Sequence, residues 1–113
     1  MSKLKPAFKL WLETGEGYVF GQGTFELLQK ISEVGTLSGA AEALGMSYRY
    51  AWSVIKRTEK RIGQPLLKTR KGGRLGGGGA ELTQAGQNLI KEFLKVREVF
   101  LNVSADELTW EGL

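Results

Sequence analysis

The sequence predicts a mainly α-helical fold with small β elements, and three observations carry that expectation. Leu37–Ile62, LSGAAEALGMSYRYAWSVIKRTEKRI, divides at Gly45 into a slim helix and a second helix with one apolar and one basic face. Residues 66–83 read as a strand, a glycine-rich tip and a returning strand, which together form a wing. Residues 84–103 carry apolar side chains over more than one helical face. These features describe a winged helix-turn-helix with an N-terminal strand or hairpin and a long C-terminal dimerisation helix.

Each element has its own signal. In residues 1–23, Phe8 to Leu12 alternates as FKLWL, TGEG supplies a turn, and Tyr18–Phe20 can return as a second strand. Trp11 there is either a packed residue or an anchor for a partner. A tri-helical core occupies residues 24–62. Thr24 is placed to cap a helix from Phe25 to Val34, whose apolar side is Phe25, Leu28, Ile31 and more loosely Leu27 and Val34, and Gly35 ends it. Ser38 is placed to cap the helix that ends at Leu44. Ala40, Ala41 and Ala43 keep that helix slim, and Gly45 supplies the left-handed stop.

Ser47 is placed to cap the next helix, Tyr48–Ile62, whose core face is Ala51, Ile55, Thr58 and Ile62. Pro65 stops it, because proline cannot continue a helix. The wing strands are Leu66–Arg70 and Ala80–Thr83. Thr83 then caps the last helix, Gln84–Val103, and an acidic tail follows at 104–113. The whole of 1–113 is read as one domain.

Composition narrows the function. The 113 residues contain neither cysteine nor histidine, which removes disulfides, thiolate metal sites, the commonest metal ligand and the usual general base. The expectation is no enzyme, no cofactor and no metal. No apolar run approaches a membrane span and no signal peptide is visible, so a cytoplasmic protein is expected. The net charge of +4 is unevenly placed. Between Met46 and Arg74, nine Lys or Arg face Glu59 alone, a local balance of +8 on a remainder of −4. Such a patch suits a polyanion. A membrane surface would also attract it, but the basic segment lacks the Leu/Phe stripe that an interfacial helix buries.

The spacing assigns candidate contacts with double-stranded DNA. Tyr48, Arg49, Trp52 and Ser53 lie on the first turns of the second helix, within reach of base edges, although Trp52 could equally pack beneath the helix, and Ser47 at the cap is a further candidate DNA contact. Lys56 and Arg57, with Arg70, Lys71 and Arg74 of the wing, are candidates for phosphates. Other readings stay open. The stretch could be a plain helical hairpin with a solvated basic face, a protein-interaction module or a sequence-blind architectural DNA binder. The wing tip could be a disordered linker. A nucleotide-phosphate loop fits worse, since GGRLGGGG at 72–79 runs into AELT with no lysine at a helix entry.

GTLSGAAEALGMSYRYAWSVIKRTEKRIGQPLL, the tip GGRLGGGG and AELTQAGQNLI resemble the winged helix-turn-helix of LysR-type regulators, and more closely the DNA-binding domain of ModE-type, molybdate-responsive regulators. The resemblance runs from about Thr24 to Val103. It implies a cytoplasmic transcription regulator, dimeric through its first and last helices, with Tyr48 and Arg49 at the start of the recognition helix. Leu75 reads as an extra residue in the wing tip. The family's molybdate-binding domains begin where this chain ends. The expectation is therefore a ModE-type regulator without those domains, and a separate sensor chain stays open as a partner.

Overall fold

The computed structural model describes residues 3–71, 78–103 and 108–109. Arg74, Leu75, most of the glycine tip and the tail residue Trp110 lie outside them. In chain order the elements are β1 (Lys3–Leu4), β2 (Trp11–Thr14), β3 (Gly17–Gly21), α1 (Gln22–Val34), α2 (Leu37–Ala43), α3 (Tyr48–Ile62), β4 (Leu67–Arg70), β5 (Gly79–Leu82), α4 (Gln84–Val103) and β6 (Leu108–Thr109). Three antiparallel pairs form: β2 with β3, β4 with β5, and β1 with β6. The fold is thus mainly helical with small strands, as the sequence predicts. The β1–β6 pair had no signal in the sequence.

The N-terminal hairpin sits further along the chain than FKLWL suggests. Its first strand is Trp11–Thr14, while Phe8 and Leu10 precede it. A register shift after Leu12 pairs Leu12 with Phe20 but Glu13 with Tyr18, which leaves Val19 as the extra residue of a bulge. That irregularity breaks the two-residue alternation, so that Val19 and Phe20 are both buried. Phe20 then meets Phe93 of α4 edge-on, with centroids 5.2 Å apart, and Phe25 of α1 lies 5.0 Å from the same ring. This aromatic trio joins hairpin, first helix and last helix in one core with Leu27, Leu28, Ile31, Ile55 and Leu66.

Two expected caps prove to be elsewhere. Thr24 does not cap α1. The helix starts at Gln22 directly from Gly21, with no side-chain cap, and Thr24 is buried in its first turn. Ser38 does not cap α2 either. Thr36 has the extended backbone that an N-cap needs, and its Oγ1 accepts from Gly39 N at 3.0 Å. Leu27, expected at the margin of the α1 face, is fully buried, while Val34 is exposed. The remaining stops follow the sequence. Gly35 and Gly45 have positive φ at the ends of α1 and α2, Ser47 Oγ accepts from Tyr50 N at 3.0 Å, and Thr83 Oγ1 accepts from Gly86 N at 3.1 Å. Gly63, left-handed at φ 80°, closes α3 two residues before Pro65.

The root of the wing is knotted to the recognition helix. Glu59 of α3 accepts from Leu66 N at 2.7 Å, and Thr83 donates through its hydroxyl to Pro65 O at 2.7 Å and through its N–H to Leu66 O at 2.9 Å. Gly86 fits against this clasp because a Cβ there would come within 2.6 Å of Leu66 O. Ala80 N donates to Gly35 O at 2.8 Å and fastens the second wing strand to the end of α1.

Candidate nucleic-acid interface

The recognition helix buries Ala51, Ile55 and Thr58 and half-buries Ile62, which is the face that the spacing predicts. Apart from Val54, which packs against the core, the rest of α3 divides into three strips. Arg49, Ser53 and Lys60 point away from the core. Tyr48, Trp52 and Glu59 flank the wing, and Tyr50, Arg57 and Arg61 flank the hairpin.

The candidate DNA contacts at the start of α3 are not equivalent. Ser47 is exposed, but its Oγ serves as the helix cap. Tyr48 is 55% exposed and shares a shallow cleft with Thr36, Thr69 and Arg70 of the wing side. Arg49 is exposed and forms no ion pair among the described residues. Trp52 is 38% exposed, and the Lys56 ammonium lies 4.4 Å from its ring centroid. Ser53 is half-buried, and its hydroxyl donates to Tyr50 O at 2.8 Å.

Among the phosphate candidates, Lys56 also pairs with Glu59 at 3.2 Å, so part of its charge is already answered within the helix. Arg57, Arg70 and Lys71 are exposed. A Cβ at Gly79 would come within 2.5 Å of the Arg70 guanidinium, so that side chain lies across its own wing. Sequence reasoning passed over Glu59, which ties the helix to the wing root, and over Tyr50 and Arg61. The i, i+7, i+11 spacing of Tyr50, Arg57 and Arg61 was the signal available for the last two.

The family described as bacterial regulatory helix-turn-helix protein, lysR family, matches residues 23–87, more than half of the chain. The chain belongs to this family. It is a DNA-binding domain of a transcriptional regulator, and its sequence is similar to that of proteins named ModE. The molybdenum-pterin-binding protein MopA of Rhodobacter capsulatus is 41% identical over 73 residues, which are 65% of this chain and 27% of MopA. The molybdenum transport protein ModE of Herbaspirillum seropedicae is 34% identical over 91 residues, 72% of this chain and 34% of that protein. The DNA-binding transcriptional dual regulator ModE of Escherichia coli is 40% identical over 65 residues, 58% of this chain and 24% of the relative. The chain therefore spans about a quarter to a third of the length of these relatives.

Solved structures agree on the fold of this lysR-family domain. ArgP from Mycobacterium tuberculosis superposes with a TM-score of 0.53 at 25% identity, over 74% of this chain and 28% of ArgP. A CbnR_DBD-DNA complex gives 0.55 at 22% identity, over 72% of this chain and 86% of the other. Among the described residues, no helix is long and apolar enough to cross a membrane.

Proposed function

We propose that the protein recognises a specific duplex DNA sequence as a cytoplasmic homodimer and regulates transcription from it without enzymatic activity. The first turns of α3 enter the major groove, where Tyr48, Arg49, Trp52 and Ser53 face base edges and Ser47 contacts DNA at the cap. Arg49 is the residue suited to a guanine O6/N7 pair. Lys56, Arg57, Arg70, Lys71 and Arg74 take phosphates and set affinity more than sequence choice. The observation that carries this reading is the capped N-terminal end of α3, where Arg49, without an ion pair among the described residues, stands between the exposed Tyr48, Tyr50 and Trp52 on a helix that the wing root ties down. The solved neighbour that contains DNA supports it.

The dimer rests on α4. Its C-terminal half leaves Val99 60% and Val103 78% exposed on one side, next to Phe100, whose ring packs on Phe8 with centroids 5.7 Å apart, an apolar surface that a second copy would cover. Two copies related by a two-fold axis would present two recognition helices about one helical turn of DNA apart, on a roughly palindromic site. The relatives named for molybdenum make a molybdate-linked signal the first to try, with a separate sensor chain as the other route.

Fluorescence anisotropy with a duplex from the region upstream of the protein's own gene, and with a scrambled duplex, tests this at two salt concentrations. Tighter binding to the upstream duplex by about a thousandfold is the expected result. Equal and steeply salt-dependent binding to both would replace the regulator with an architectural binder. No binding at low salt would sink the DNA reading and leave an interaction module.

A further inference from the structure

A cleft of about 360 Å³ opens between the hairpin, the start of α1 and the flank of α3 that faces away from the wing. Tyr18, Thr24, Tyr50, Arg57 and Arg61 line it, and no carboxylate does. Neither arginine forms an ion pair among the described residues, in contrast to Lys56 on the same helix. The Arg61 guanidinium lies 5.9 Å from the centre of the Tyr18 ring, which holds it over the cleft. The Tyr18 hydroxyl in turn rests against Gly21, where a Cβ would come within 2.5 Å of its oxygen. Gly21 is the N-cap of α1 and offers no side-chain cap, and Gly23 and Thr24 of the helix's first turn line the cleft. Thr24 is only 7% exposed and lines the cleft.

We propose that this cleft is a phosphate site, which a DNA backbone phosphate fills on the side of the recognition helix opposite the wing. Two unpaired guanidinium groups, three hydroxyls and an uncapped helix start, with no acid among them, form a donor set matched to a phosphate oxyanion. The proposal rests on the DNA-binding reading and extends it. The wing bases contact one strand, and Arg57 and Arg61, steadied by the hairpin, contact the other. The hairpin thereby becomes part of the DNA-binding apparatus.

The test measures anisotropy of the upstream and scrambled duplexes against the full chain over a salt series. Arg61→Gln should weaken both duplexes alike, by about tenfold at low salt, and make the log–log salt slope shallower by about one. Tyr18→Phe, which keeps the ring and the fold, should weaken both by a few-fold. Lys91→Gln, on the exposed side of α4, is the control for net charge and should leave the slope unchanged. An Arg61→Gln slope equal to that of the unaltered protein would overturn the site while leaving DNA binding standing. If the unaltered protein binds neither duplex, the DNA reading falls, and inorganic phosphate decides the cleft alone. A rise in Tm with phosphate over equal ionic strength of chloride, lost in Arg61→Gln, would keep the phosphate site with free phosphate as its source. No rise in either protein would overturn it.

Discussion

Helices α3 and α4 are both amphipathic on paper and end up in opposite situations. The 15 residues of α3 bury one narrow strip, and their outward strip is Arg49, Ser53 and Lys60. That helix is complete within one chain, and its outer surface is built for water or a polyanion. The 20 residues of α4 bury only Gly86 and Phe93, and the second half extends with valines and aromatics on its surface. The radius of gyration of 17.6 Å, against about 13 Å for a compact chain near this length, reflects the extended shape. A helix whose outer face is charged has found its solvent. One that leaves Val99 and Val103 largely exposed still has apolar surface to cover.

Five substitutions break or sharpen this contrast, from the largest effect to the smallest. Phe93→Ala removes the ring that joins Phe20 and Phe25 and should cost about 3–5 kcal/mol, read from the urea midpoint at unchanged m-value. Val99→Glu on the outer half of α4, where the side chain is 60% exposed, should cost the isolated fold little. Instead it should weaken self-association by at least about tenfold, or about 1.4 kcal/mol, in sedimentation equilibrium. Unchanged self-association would show that this surface is not the dimer contact.

On α3, Arg49→Ala should leave the Tm in place and cost about 1–3 kcal/mol of DNA binding, with base preference relaxed at one position. Equal loss on all sequences would demote Arg49 to a phosphate contact. The smallest contrast concerns α2, where Thr36→Ala should destabilise by about 1 kcal/mol and Ser38→Ala by no more than about 0.5 kcal/mol. The reverse order in thermal melts would restore Ser38 as the cap.

Much of this was legible in the residues. The core face of α3, the glycine stops at Gly35 and Gly45 and the cap at Ser47 depend on neighbours within one helical turn, and local spacing reports them. The misplaced caps show the limit. Thr24 and Ser38 are good caps by residue type, but the start of α1 was decided by how far β3 runs, and that of α2 by the extended backbone of Thr36. The hairpin shifted because a bulge at Val19 is invisible to a two-residue period. Glu59 read as one acid among nine bases. Its role appears only when Leu66 folds back to donate to it.

By itself the sequence determined the helix-turn-helix, the wing and the concentration of charge, because periodicity, glycine stops and net charge are properties of the chain. Only the tertiary structure decided which basic side chains are already answered and which are unpaired. The Lys56–Glu59 pair, three residues apart on one helix, still follows from local spacing, but the tertiary structure laid Arg70 across Gly79 and brought Tyr18 from the hairpin beside Arg61 of the recognition helix. Those partners are as many as 43 positions apart in the chain. Contact between them is set by how the hairpin packs on the core, which no local pattern encodes.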